Sequence, residues 1–262
     1  MSAPYHEWAP RTASTAHVRC LWSFQSDGAD AEPQRIAPDG CPELILHLGA
    51  PYAENEGPQQ PAILFAGQIT QPLTLSARGP VSVLGVRFEP DGARGFLGRS
   101  LADATDQRVD LRVLHGDAAH DLLNAVLTAT DWDGRRALAE SYVASRGGAV
   151  HPEVRATVKG LSSGEDVEAS RQLQRLFAEH VGVPPRMLAS IFRFRRVFDA
   201  IERPEAPGWV ETALAAGYFD QPQMARDFRR FLGCTATDWA RQKAGLARAL
   251  ASSQSYKNDG GG

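Results

Sequence analysis

Cysteine is scarce in this chain. Its three cysteines, Cys20, Cys41 and Cys234, are far apart and odd in number. That excludes a disulfide framework and a CxxC zinc knuckle, and points to free thiols in a reducing compartment. Long apolar runs are also missing: no stretch approaches the roughly 18 consecutive apolar residues that a membrane span requires. The opening MSAPYHEWAPRTAS lacks the charged start and apolar centre of a signal peptide. The expectation is a cytoplasmic protein with no membrane partner. Catalytic signatures are absent too. The glycines between residues 85 and 98 fit no GxGxxG loop, and His115 and His120 lie on a helical stretch without a cysteine or carboxylate arrangement that dictates chemistry. Cys41, Glu43 and His47 come from one short segment and do not close a metal-ligand set. The chain is therefore read as no enzyme, with no cofactor and no metal.

The residues that are present suggest two cores and two surfaces. The 262 residues are 43% hydrophobic, enough for two domains. Residues 1–150 hold 12 basic and 18 acidic side chains (−6), and residues 151–262 hold 16 and 13 (+3). An acidic front and a basic back suggest different partners for the two halves. In the first hundred residues Pro and Gly separate short apolar runs such as ELILHL (43–48), AILF (62–65) and VSVLGVRF (81–88). This pattern reads as an antiparallel β sandwich or barrel. Short helices are expected over 92–98, 110–129 and 134–146, bridging to the C-terminal half. SRGGAVH (145–151) ahead of Pro152 marks a boundary. The rest reads as helix. Residues 184–202 place Met187, Ile191, Phe194, Phe198 and Ile201 on one apolar stripe, with Arg193, Arg195 and Arg196 on a solvated side. The fold class is thus α+β: residues 1–100 a β-rich domain, 101–147 bridging helices, 151–250 an all-α domain, and 251–262 a polar, disordered tail.

Two segments resemble each other: RQLQRLFAEHVG (171–182) and PQMARDFRRFLG (222–233). In each, apolar residues share one face and leave Gln and Arg side chains near the other, as a helix reading the major groove requires. Ahead of the second, GWVETALAAG (208–217) sets Ala213 four residues before Gly217, the small contact residue and corner glycine of a helix-turn-helix. Asp220 is placed to cap the next helix, with Gln223 as its capping-box partner.

Residues 151–243 resemble the DNA-binding domain of AraC/XylS-family transcription regulators, most closely at AGYFDQPQMARDFRRFLGCTATDWAR. The resemblance implies two helix-turn-helix units joined by a long helix. It assigns base contacts to Arg171, Gln174 and Arg175 in the first unit, and to Gln221, Ala225 and Arg226 in the second. Arg229 and Arg230, nearer the helix end, are expected on phosphates. The family's Gly-x-[ST]-Pro segment reads Gly233-Cys234-Thr235-Ala236 here, without the proline. The first unit departs further: Ala156 and Gly160 have the turn spacing, but Gly160 lies eleven residues before Arg171. Either residues 152–161 are the first helix and the second is lost, or the turn carries an insertion. The pieces PDGCPEL (38–44), GQIT (67–70) and LGVRF (84–88) are similar to a β-rich domain found in front of some family members. In a strand over 43–48, Glu43, Ile45 and His47 share a face. Glu43, His47 and Arg87 are therefore candidate ligand-binding residues, a face near solvent or one making interdomain hydrogen bonds being the alternative. Expected partners are double-stranded DNA, with a small-molecule effector, RNA polymerase and a second copy of the chain as further candidates. The rival function is a regulatory module that acts through another regulator.

Overall fold

The computed structural model describes residues 5–11, 16–27, 33–201 and 208–241. The expected tail, 251–262, and the end of the DNA-binding segment, 242–250, lie outside the described residues. The N-terminal part builds two antiparallel sheets. The larger has six strands in the order β1 (Tyr5–Trp8), β2 (Val18–Ser26), β8 (Val81–Phe88), β4 (Glu43–His47), β6 (Ile63–Ala66) and β9 (Arg108–Asp110). The smaller orders β3 (Gln34–Ile36), β7 (Leu73–Ser76) and β5 (Ala53–Glu54). The arrangement is a sandwich of open sheets, not a closed barrel.

Strand register sorts the side chains. Leu21, Val86, Leu44, Phe65 and Val109 stand opposite one another across five strands. This apolar row faces the helices α1 (Arg94–Leu97), α2 (Leu111–His115), α3 (Asp117–Thr128) and α4 (Trp132–Ala144), which add Phe96, Leu111, Val126 and Val143 to one core. The neighbouring row, Cys20, Arg87, Glu43, Ala66 and Arg108, faces the other way, because successive side chains of a strand alternate.

Two local expectations change. The stretch read as one helix over 110–129 is broken at Gly116, whose φ of 56° ends α2 and starts α3. Residues 108–110, placed among the bridging helices, instead pair with β6 as an edge strand.

The C-terminal part is helical: α5 (Pro152–Ser163), α6 (Arg171–His180), α7 (Pro185–Ile201), α8 (Trp209–Ala215), α9 (Gln221–Leu232) and a final helical stretch from 236. It has two apolar clusters on α7. Leu188 and Phe192 join Val154, Leu173 and Phe177, whereas Ile191, Phe194, Val197 and Phe198 join Ala213, Met224 and Phe228. α7 is therefore buried on two sides rather than along the single expected stripe. The side chain of Ile201 lies outside the described residues.

The sheets touch this helical part at several points. Asp91, almost fully buried, pairs with Arg155 of α5 at 2.7 Å, and Gly40 lies where any added Cβ would meet Leu188 and Phe192 at 3.0 Å.

Candidate nucleic-acid interface

α8 and α9 form a complete helix-turn-helix. Ala213 is fully buried at the crossing, and the chain turns at Gly217 with φ 88°, a left-handed conformation that costs glycine nothing. Asp220 caps α9 by accepting from the Gln223 N–H at 2.7 Å. The reciprocal contact is shifted by one residue from a capping box: Gln223 Oε1 accepts from the Phe219 N–H at 3.0 Å. Met224, Phe228, Phe231 and Leu232 are buried, and Phe228 is ringed by Phe194, Trp209 and Trp239 at 5.0–6.2 Å. This leaves Gln221, Arg226, Arg229 and Arg230 exposed and Ala225 half-buried.

Sequence reasoning missed the groups that hold α9 from its flank. Tyr218 Oη donates to Asp227 at 2.9 Å, and Arg193 of α7 lies 4.7 Å over the Tyr218 ring and 3.8 Å from Asp227. Burial pushes the Asp227 carboxyl up, against the Tyr218 hydrogen bond and Arg193, which lower it. The expected solvated row on α7 is thus corrected. Arg195 is exposed, but Arg193 and Arg196 are engaged, Arg196 donating to the Ala216 carbonyl at 3.1 Å. No sequence signal marked these partners, because they come from other helices.

The first unit is different. Gly160 lies inside α5, where it leaves room for the Glu165 carboxylate, and the left-handed C-cap is Gly164 (φ 93°). A single helix precedes α6, joined to it by a non-helical stretch with Glu165, Asp166 and Glu168 exposed. Of the two alternatives, residues 152–163 are the one helix, and no second lies between it and α6. A cleft of about 340 Å³ opens there, lined by Leu161, Glu165, Val167, Pro185 and Arg186 among others. Ser170 caps α6 through the Leu173 N–H at 3.1 Å. Arg171, Gln174 and Arg175 are exposed, although the Gln174 amide donates to the Ala169 carbonyl at 3.2 Å.

Of the three candidate ligand residues, the structure brings two together. Arg87 pairs with Glu43 at 2.8 Å and with Asp39 at 3.1 Å, and the Trp22 indole N–H donates to Glu43 at 3.0 Å. Burial raises the Glu43 carboxyl, with Arg87 opposing. Trp22 lies over Gly85, where a Cβ would come within 2.1 Å of the indole. His47 stands apart, bonded to Gln60 at 2.9 Å, and burial lowers its pKa. Gln60 in turn donates to Glu54 at 2.6 Å. Among the described residues, no group of three or more His, Cys, Asp or Glu is arranged to hold a metal ion.

Comparison with known families matches two separate stretches of the chain. Residues 6–110 match a domain of unknown function, DUF6597, and residues 169–242 match a helix-turn-helix domain. The C-terminal region is an AraC-type helix-turn-helix domain. No curated protein matches the chain. Among solved structures it is similar to ToxT from Vibrio cholerae, at 8% identity over 84% of this chain and 96% of that one, with a TM-score of 0.44. It is also similar to ToxT from Vibrio cholerae O395 bound to (E)-4-(8-methylnaphthalen-1-yl)but-3-enoic acid, at 10% identity over 90% and 98%, with a TM-score of 0.43. The helix-turn-helix match over residues 169–242 supports a DNA-binding transcription regulator. Among the described residues, no helix is long and apolar enough to cross a membrane.

Proposed function

We propose that this regulator binds DNA sequence-specifically, with α9 as its principal reader, and that residues 1–147 modulate residues 151–250. The observation that carries this reading is α9 itself, a capped helix locked on one face by Phe228 and presenting Gln221, Arg226, Arg229 and Arg230 on the other. Arginine forks match guanine, and glutamine matches adenine, in the major groove. α6 contributes Arg171 and Arg175, but the exposed Glu165, Asp166 and Glu168 precede it. Carboxylates there oppose the phosphate backbone that dominates DNA affinity, so α6 serves mainly as a second anchor.

Modulation by the N-terminal part is supported by where it grips the two helices. Ser100 Oγ donates to the Ala178 carbonyl at 3.2 Å and Thr105 Oγ1 to the Gly182 carbonyl at 2.7 Å, both at the C-terminal end of α6. Arg35 donates to the Leu232 carbonyl at 2.8 Å, at the C-terminal end of α9. A small molecule or a second copy acting on the sheets can reach both helices through these contacts.

The test is selection of bound duplexes from a random library with the full chain, followed by footprinting. An enriched motif protected in the footprint is expected. Its absence, with the folded chain retained by a partner regulator on DNA, would replace this reading with the rival module.

A further inference from the structure

We propose that Arg196 is a positioning residue that fixes the first helix-turn-helix unit against the second, so that α6 and α9 face one duplex at a set distance. The proposal rests on the DNA-binding reading above and adds how the two units are held. From the C-terminal half of α7, the Arg196 Nε donates to the Ala216 carbonyl at 3.1 Å and Nη1 to the Ser162 carbonyl at 3.4 Å. These carbonyls occupy matching places. Ser162 is in the last turn of α5 before the left-handed Gly164, and Ala216 ends α8 before the left-handed Gly217. A Cβ on Gly164 would lie 3.9 Å, and one on Gly217 3.6 Å, from the Arg196 Nη2. One guanidinium therefore stands at both turns that lead into the two DNA-facing helices.

The C-terminal end of a helix carries unsatisfied carbonyls and partial negative charge, which favour a cation. A guanidinium donates along two fixed directions at once, which an ammonium point charge does not. The buried apolar clusters of the two units are distinct, each packed on its own side of α7, with Met187 of α7 touching both. Their relative placement accordingly depends on α7 and on whatever crosses between them, and Arg196 crosses. Its neighbours are engaged otherwise, Arg193 with Tyr218 and Asp227, and Arg195 near the Phe198 ring at 5.8 Å.

The experiment uses the full chain and a duplex enriched by the wild-type protein. Hydroxyl-radical footprinting of the wild type should show two protected patches about one helical turn apart. Arg196→Met keeps the stem and removes the fork, and should retain the α9 patch while the α6 patch fades. Arg175→Ala should weaken wild-type binding several-fold but weaken Arg196→Met far less, because a first unit no longer held in place contributes little. Arg196→Lys, which keeps the charge without the fork, should show the same loss if Met disturbs folding. Persistence of the α6 patch at full strength in a folded variant, or loss of both patches together, would overturn the proposal. A wild-type protein that enriches no duplex would instead sink the DNA-binding reading, and this inference with it.

Discussion

Arg226→Ala tests the ranking of the two units most directly. Arg226 projects from the first half of α9 and is exposed, and the next residue, Asp227, is anchored by Tyr218 and flanked by Arg193. A guanidinium rooted in a backbone held this firmly discriminates between bases, whereas one on a looser mount mainly attracts phosphate. A bidentate arginine–guanine contact contributes about 1–3 kcal/mol of discrimination. At about 1.4 kcal/mol per tenfold, affinity for the selected site should fall by about fivefold to about 150-fold. Affinity for a scrambled duplex should change far less. Arg229 and Arg230 lie in the last turn of α9, and their Ala variants should weaken both duplexes alike. Each lost phosphate contact reduces the salt slope by about 0.9, or about 3.5-fold less loss of affinity between roughly 50 and 200 mM salt. Fluorescence anisotropy titrations of each variant on both duplexes, at two salt concentrations, measure these effects. If Arg175→Ala abolishes discrimination while Arg226→Ala leaves it intact, the first unit is the reader and the reasoning from α9 is refuted.

Phe228→Ala empties a fully buried site between Phe194, Trp209 and Trp239. It should cost about 3–5 kcal/mol in urea denaturation, and a loss below about 1 kcal/mol would show that the aromatic box does not hold α9. Arg155→Ala leaves the Asp91 carboxylate buried without its ion pair and should destabilise by about 3–5 kcal/mol; Arg155→Ala with Asp91→Asn should recover much of that in the same assay. Burial lowers the pKa of His47, His115 and His180 in the folded chain. The unfolded chain thus takes up protons first as pH falls, so their contribution is present above about pH 6.5 and lost below it; a urea midpoint that rises from pH 7.5 to pH 6 would contradict this. Glu43→Ala, His47→Ala and Arg87→Ala should alter regulation of a reporter while selected-duplex affinity in vitro stays near wild type. Reporter output like the parent's in all three would remove the case for a ligand site on that sheet face.

Parts whose rules are local were legible in the chain alone. The alternation in ELILH and VRF set which strand face is apolar, and Ala213, Gly217 and Asp220 specified a crossing, a corner and a cap within eight residues of chain. The apolar spacing of Met224, Phe228 and Leu232 likewise decided which face of α9 is buried. Tertiary structure decided everything that depends on residues far apart. Periodicity places Arg193 and Arg196 away from the main apolar stripe and so suggests solvent. Their actual partners, Asp227, Ser162 and Ala216, arrive only when α5, α8 and α9 pack around α7. The three residues of β9 carry too little pattern to announce a strand, and pairing with β6 makes them one. Glu43 and Arg87 were legible as polar residues on strands. Their pairing, with Asp39 and Trp22 beside them, came from the register of β4 against β8, which fixes contacts between segments more than forty residues apart in the chain.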